Sequence, residues 1–284
     1  MDSKVSIDTI LNGLEPFYYY YLRYVLIAGF FYVLYYVFFK DKMLHKKIQK
    51  KFPKNENILF EIKYSILSLA ILAAMGLFVS YSKARGWTQI YDNVDEYGIP
   101  YLIFSVAVLI LAHDTYFYWA HRFMHVKWVY PHVHLVHHKS TSPTPWASFS
   151  FHPIEAFLEG FGVMIMFYFL PLHIYAIWAF LIFMTVFNVM GHLGFEVFVK
   201  GSTRSKNWWW HNTVTHHDMH HKYFNHNYGL YFNWWDKWMT TLHEKYHDEF
   251  DAVAGAKAEK QVADQQNSEA HDDELIIAQM QKRV

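Results

Sequence analysis

The apolar positions of the chain fall in long unbroken runs rather than in helical stripes or alternating strands. Residues 17–39 (FYYYYLRYVLIAGFFYVLYYVFF), about 58–81 and about 97–119 each reach the length of roughly 20 residues that an α-helix needs to cross a bilayer. Residues 154–190 are apolar again but are split by Pro171, which reads as a hairpin of two spans or a re-entrant pair. Arg23 is the one charge in the first run and is expected to snorkel out from near the end of its helix. Glu61 and Lys63 interrupt the second run close to its start. The pattern predicts an all-α fold: a multi-pass transmembrane helical bundle of about four spans, or three plus a hairpin, with a cytosolic histidine-rich cap.

The polar stretches between the runs give the orientation. Residues 40–54 (KDKMLHKKIQKKFPK) carry seven lysines and one aspartate. Positively charged loops stay in the cytoplasm, so the first span runs inward, the second outward and the third inward again. The histidine-rich stretch after the third span therefore emerges on the lysine side. Residues 1–16 lack a basic n-region and a small-residue cleavage site, so no cleaved signal peptide is expected. The aromatic, histidine-rich segment 201–250 reads as a cap lying against the membrane. Three regions follow: an N-terminal membrane region of two spans with a basic loop (1–96), a histidine-rich region (97–250) and a polar tail expected to be disordered or loosely helical (251–284).

Composition narrows the chemistry. The 284 residues include no cysteine, which removes disulfides, thiolate metal sites and cysteine nucleophiles. Formal net charge is zero, and nothing points to nucleic acid. Any metal must be held by nitrogen and oxygen.

Histidine supplies the nitrogen. Of 20 histidines, eight stand in three spaced boxes: His121 and His125 in HRFMH, His134, His137 and His138 in HLVHH, and His217, His220 and His221 in HDMHH. Residues three and four apart share a helix face. A single histidine is more often a hydrogen-bonded structural residue than a ligand, but eight in such spacing point to transition metal. One ion takes three or four protein ligands, so eight imply two ions. Zinc has no redox chemistry, and oxygen chemistry on a hydrophobic substrate favours iron. His192, after a long apolar run and Gly191, is a ninth candidate ligand. Asp114, seven residues before His121, is a candidate to orient an imidazole, with an ion pair to Arg122 or Lys127 as the plain alternative. His113, His216 and Asp218 are further supporting candidates. Glu196 reads as an ordinary interfacial acid and His173 as facing the far side. Trp208–Trp210, Trp234, Trp235 and Trp238 suit anchoring at the lipid headgroups.

At these residues the chain resembles the fatty acid hydroxylase / sterol desaturase superfamily of membrane di-iron enzymes, over roughly residues 100–245. Its boxes fit H-x-x-x-H, H-x-x-H-H and H-x-x-H-H in order. DTYFYWAHRFMH, HKSTSPTPWASFSFHPIEAFLEG and HHDMHHKYFNHNYGLYFNWWD look most like the sterol C-5 desaturase branch. The resemblance implies two non-heme irons, held by the eight box histidines with His192 as the isolated histidine between the second and third boxes. Zinc is a possible substitute in purified protein. It implies use of dioxygen and two electrons to desaturate or hydroxylate a lipid, a sterol-type one favoured. Fatty-acyl, alkylglycerol and carotenoid lipids are the alternatives. Only His192 stands where the 2-hydroxylase branch has a paired box, which argues against that branch. No H-P-G-G heme motif is present, so the electron donor is expected to be a separate protein of cytochrome b5 or ferredoxin type with its reductase. Without a C-terminal dilysine signal, a bacterial inner membrane is slightly favoured over the endoplasmic reticulum. A metal transporter or heme-binding membrane protein is the distant alternative, since its ligands belong near the bilayer midplane or number only one or two.

Overall fold

The computed structural model describes the backbone of residues 7–257, with side chains from residue 15 onward. Three long helices come first: α1 (Ile7–Tyr32), continued by a wider-wound turn Val33–Phe38, then α2 (Asn55–Ala84) and α3 (Gly98–Met124). A hairpin follows, of α6 (Pro153–Phe169) and α7 (Ile174–Gly191). The helices long and apolar enough to cross a membrane are Glu15–Phe38, Asn55–Ala84, Gly98–Met124 and Ile174–Gly191. α6 has 17 residues, about 25 Å of helix, and completes the bundle as the partner of α7. The expected bundle is therefore present, as is its hairpin. The first helix begins earlier than the hydropathy pattern indicates, because Ile7–Glu15 continue it through Pro16.

Local chemistry sets the hairpin's ends. Pro153 occupies the first turn of α6, where its missing N–H costs nothing, and the His152 ring accepts from the Ile154 N–H at 3.3 Å. His173 caps α7 in the same way, accepting from the Tyr175 N–H at 3.1 Å. Its other ring nitrogen meets the Asp92 carbonyl at 2.9 Å. Two short parallel strands, β1 (Ile90–Tyr91) and β2 (Leu172–His173), pair here and tie the α2–α3 loop to the hairpin turn. His173 thus lies at the end opposite the histidine boxes, as expected.

Helix α2 packs on α1 and α6, and α7 on α1 and α3. One core joins Tyr24, Ala28, Leu69, Leu72, Phe149, Phe151 and Val189 near the box end; a second gathers Leu109, Met166, Phe167, Phe180 and Leu181 deeper in the bundle. Gly162 brings α6 against α3 so closely that a Cβ there would sit 2.1 Å from the Tyr116 ring.

The cap carries four short helices around the boxes: α4 (Tyr130–Val133), α5 (Leu135–His138), α8 (Val214–Tyr223) and α9 (Trp234–Trp238), closed by α10 (Tyr246–Ala254). α10 occupies the start of the stretch read as a polar tail; the remainder from residue 258 lies outside the described residues. The lysine-rich loop is not a free loop. It threads into the cap, Ile48 donating to the Gly194 carbonyl at 3.1 Å and Glu196 donating to that of Lys46 at 2.9 Å. Lys47 is fully buried there, its ammonium 5.4 Å from the centroids of both the Phe52 and Phe195 rings, and burial lowers its pKa to about 8.

Candidate metal centre

The boxes sit at the same end of the bundle but on different elements. His121 lies in the last turn of α3 and His125 caps it; His134 joins α4 to α5, which carries His137 and His138. His192 follows the last residue of α7, and α8 carries His217, His220 and His221. Thr213 caps α8 by accepting from the His216 N–H at 3.3 Å. All nine proposed ligands come together, in two groups. His121, His125, His134, His138 and His220 form one; His137, His192, His217 and His221 form the other, each with donor atoms within 4.8 Å of one another.

The Nε2 atoms converge. In the group of five, the Nε2–Nε2 separations are 3.0 Å for His121–His134, 3.1 Å for His125–His220 and His138–His125, and 3.0 Å for His220–His138. In the group of four, His192 lies 3.3 Å from His137 and 3.0 Å from His217, and His221 lies 3.1 Å from His217. A metal with nitrogen bonds of about 2.0–2.1 Å holds its ligands about 2.9–3.4 Å apart, the edges of an octahedron and a tetrahedron.

On five of the nine rings the far side fixes which nitrogen is free. Nδ1 of His121 faces the Tyr228 carbonyl at 2.9 Å, that of His192 the Asn188 carbonyl at 2.7 Å and that of His220 the His226 carbonyl at 2.7 Å. His134 Nδ1 faces Glu155 Oε1 at 2.7 Å, and His137 Nδ1 the Ser150 carbonyl at 3.4 Å. An acceptor at Nδ1 puts the proton there and leaves the Nε2 lone pair pointing inward. Lone pairs facing each other at 3 Å repel unless a cation lies between them. Burial, with neighbouring imidazoles adding to it, holds His134, His137, His138, His217, His220 and His221 well below the ordinary histidine pKa, and burial brings His192 to about 4. The rings are neutral donors, and the set fits transition metal ions.

The carboxylates are placed otherwise than the spacing suggests. Asp114 touches no imidazole and pairs with neither Arg122 nor Lys127. Its Oδ1 accepts from the backbone N–H of Tyr231 at 2.8 Å and of Phe232 at 3.2 Å. Seven residues of helix put it beside His121 in projection but two turns deeper, level with the returning loop. His113 is buried away from both groups, its Nδ1 2.9 Å from the Tyr231 hydroxyl. Asp218, itself buried, turns from α8 to the lysine-rich loop and accepts from Gln49 Nε2 at 2.9 Å. His216 does support the site at one remove: its Nε2 lies 3.1 Å from Asp236 Oδ2. Asp236 also accepts from the N–H of Tyr228 and Gly229, at 2.9 and 2.8 Å. It thereby sets the Tyr228 carbonyl that faces His121. Although burial works against it, the His216 N–H and its neighbours keep Asp236 below the usual carboxylate range. Glu196 is fully buried, not interfacial; it accepts from the Thr215 hydroxyl at 2.6 Å and backbone N–H at 2.9 Å, fixing the start of α8.

Glu155 and Asp236 escaped the sequence reading. The one available signal for Glu155 was an acid directly after Pro-Ile in a run whose other charge is Glu159; for Asp236, nothing in the tryptophan-rich stretch marks it.

A cavity of about 410 Å³ runs through the bundle between α1, α2, α3, α6 and α7 to this end. Its inner wall includes Phe117 and Phe151, whose ring centroids lie 5.1 Å from that of His121 and 5.2 Å from that of His137. Such a volume suits a small organic ligand.

The sequence profile of the fatty acid hydroxylase family matches residues 106–241. A Delta(7)-sterol 5(6)-desaturase of Gibberella zeae is 31% identical over 216 residues, covering 74% of this chain and 64% of its own length. The lathosterol oxidase of Homo sapiens is 31% identical over 211 residues, 71% of this chain and 66% of its own. A Delta(7)-sterol 5(6)-desaturase of Aspergillus fumigatus is 30% identical over 223 residues, 73% and 68% respectively. The chain thus spans slightly less than two thirds of the Gibberella and human relatives. No solved structure matches it. These relatives are fungal and mammalian, so the slight preference for a bacterial membrane finds no support. With the profile laid over all three boxes and a relative of 30% identity covered over 68% of its length, the chain belongs to the fatty acid hydroxylase family.

Proposed function

We propose that this chain is a membrane-bound oxidoreductase that desaturates or hydroxylates a lipid, with a sterol-type substrate and desaturation favoured by the names its relatives carry. The observation that carries the reading is the convergence of nine neutral Nε2 donors, in groups of five and four, against the inner wall of an apolar cavity. Residues 97–250 form the catalytic unit. The two groups would each hold one iron ion, with zinc able to replace it, and the pair of ions when bound would supply the activation of dioxygen that side chains lack.

The chain's own residues divide the remaining work. Glu155 and the carbonyls of Tyr228, Asn188 and His226 hold protons on Nδ1 and aim the imidazoles. Asp114 and Asp236 hold the 228–232 backbone behind His121. Phe117, Phe151 and the cavity walls exclude water and keep an apolar substrate in place. The electrons come from a separate donor of cytochrome b5 or ferredoxin type, reaching the histidine end from the cytosol. A transporter or heme protein suits the site poorly: the imidazoles lie at one end of the spans, and nine are too many for axial ligation.

Purified chain should carry about two irons and, given a reductant, consume dioxygen while oxidising a sterol-type lipid; His137→Ala should abolish turnover. Full turnover by protein stripped of metal would sink the proposal.

A further inference from the structure

The group of four is held less firmly from behind than the group of five. Among the five, the Nδ1 atoms of His121, His134 and His220 face an acceptor at 2.9 Å or closer. Among the four, His192 has such an acceptor at 2.7 Å and His137 one at 3.4 Å, while His221 Nδ1 is buried with no partner among the described residues. These rings therefore depend on where the backbone carries them.

That backbone is gripped by residues 46–49 of the lysine-rich loop. Ile48 and Lys46 bond to Gly194 and Glu196, two and four residues after His192, in a short antiparallel bridge. The Gln49 amide reaches further. Its Nε2 donates to the Thr141 carbonyl at 2.7 Å, four residues after His137, and to Asp218 Oδ1 at 2.9 Å, on the residue after His217. Helical phase directs the second contact: at about 100° per residue, Asp218 lies about 100° from His217 and 60° from His221, but about 160° from His220. We propose that Gln49 is a positioning residue for the metal ion held by the group of four. It ties the chain after the second box to the helix of the third, and so fixes His137 against His217 and His221. A terminal amide suits this task, because its two N–H groups can meet a carbonyl and a carboxylate at once. Gln49 lies outside the 106–241 stretch that the family profile matches, so this support reaches the centre from the N-terminal membrane region.

The inference rests on the two-metal reading, and the test separates them. The full chain in detergent, loaded with zinc(II), is titrated with a competing chelator to give the number of ions and the affinity of each. The wild type should hold two. Gln49→Met keeps the length and removes both donors; it should weaken one ion by about 10–100-fold, as loss of a partner behind a metal ligand does, and affect the other far less. Gln49→Lys, which keeps donors at a similar reach, should recover part of that loss. In a His137→Ala background the zinc that remains should be indifferent to Gln49→Met, which assigns the effect to the group of four. Even weakening of both ions, no weakening of either, or an effect that persists undiminished beside His137→Ala overturns the role of Gln49 and leaves the two-metal reading standing. If Gln49→Met does not fold, Gln49→Lys decides: weakening of one ion more than the other supports the role, and any other result overturns it. A wild type that holds fewer than two zinc ions removes the two-metal reading itself.

Discussion

His137 and His138 are neighbours in the chain, yet they serve different imidazole groups: His137 Nε2 lies 3.3 Å from that of His192, and His138 Nε2 lies 3.0 Å from that of His220. Successive residues of a helix diverge by about 100°, so the pair straddles the two groups. The third box repeats the division with the groups exchanged. His134 and His138 stay together while His137 departs, and His217 and His221 stay together while His220 departs.

Substituting the neighbours one at a time should separate the two groups. His138→Ala removes a ligand from the group of five and leaves four; His137→Ala reduces the group of four to three. Elemental analysis of purified protein should find close to two metals per chain in His138→Ala and clearly fewer in His137→Ala. Equal loss in both would contradict the division.

Glu155 should matter although it is too far out to be a ligand. Losing the acceptor behind a ligating imidazole costs about 10–100-fold in metal affinity or activity. Glu155→Ala should show that loss in a chelator-competition titration, and Glu155→Gln, which retains an acceptor oxygen, should show less.

Acid should destabilise the metal-free protein over a defined window. Burial lowers His192 to about 4 from an ordinary value near 6.5 and moves six other imidazoles in the same direction. A lowered folded-state value means that the neutral form favours the fold. That contribution is complete above about pH 6.5 and is lost as pH falls toward 4. Thermal melting of chelator-treated protein should drop steeply across this interval and stay level from 7 to 8.

Gly162→Ala should destabilise the bundle by about 1–3 kcal/mol, the usual cost of overpacking. The added Cβ would meet the Tyr116 ring at 2.1 Å, and that ring is pinned by its hydroxyl donating to the Leu158 carbonyl at 2.7 Å. Gly160→Ala should cost less, because it meets only the side-chain tips of Leu72 and Met75. Detergent melting curves of the two variants would rank them.

The spans and the boxes were legible because both follow from local spacing: run length against bilayer thickness, and helical period. Allocation of each histidine to a group was not legible, since it depends on how α5 and α8 are turned toward each other. The supporting carboxylates were misread for a related reason. Asp114 shares a helix face with His121, but a face extends over several turns, and Asp114 meets a loop that returns from 117 residues away. Arg23 looked like a helix-end residue, yet it is buried and lines the cavity: hydropathy records composition and is blind to the side of the helix that faces an internal cavity.

Because α5 and α8 each donate to both groups, neither ion can be bound without holding still the helices that serve the other. Filling one position clasps the remaining rings close to their final places, so the second ion should enter more readily than the first. Metal loading would then be cooperative, and partly loaded chains would be scarce beside empty and full ones.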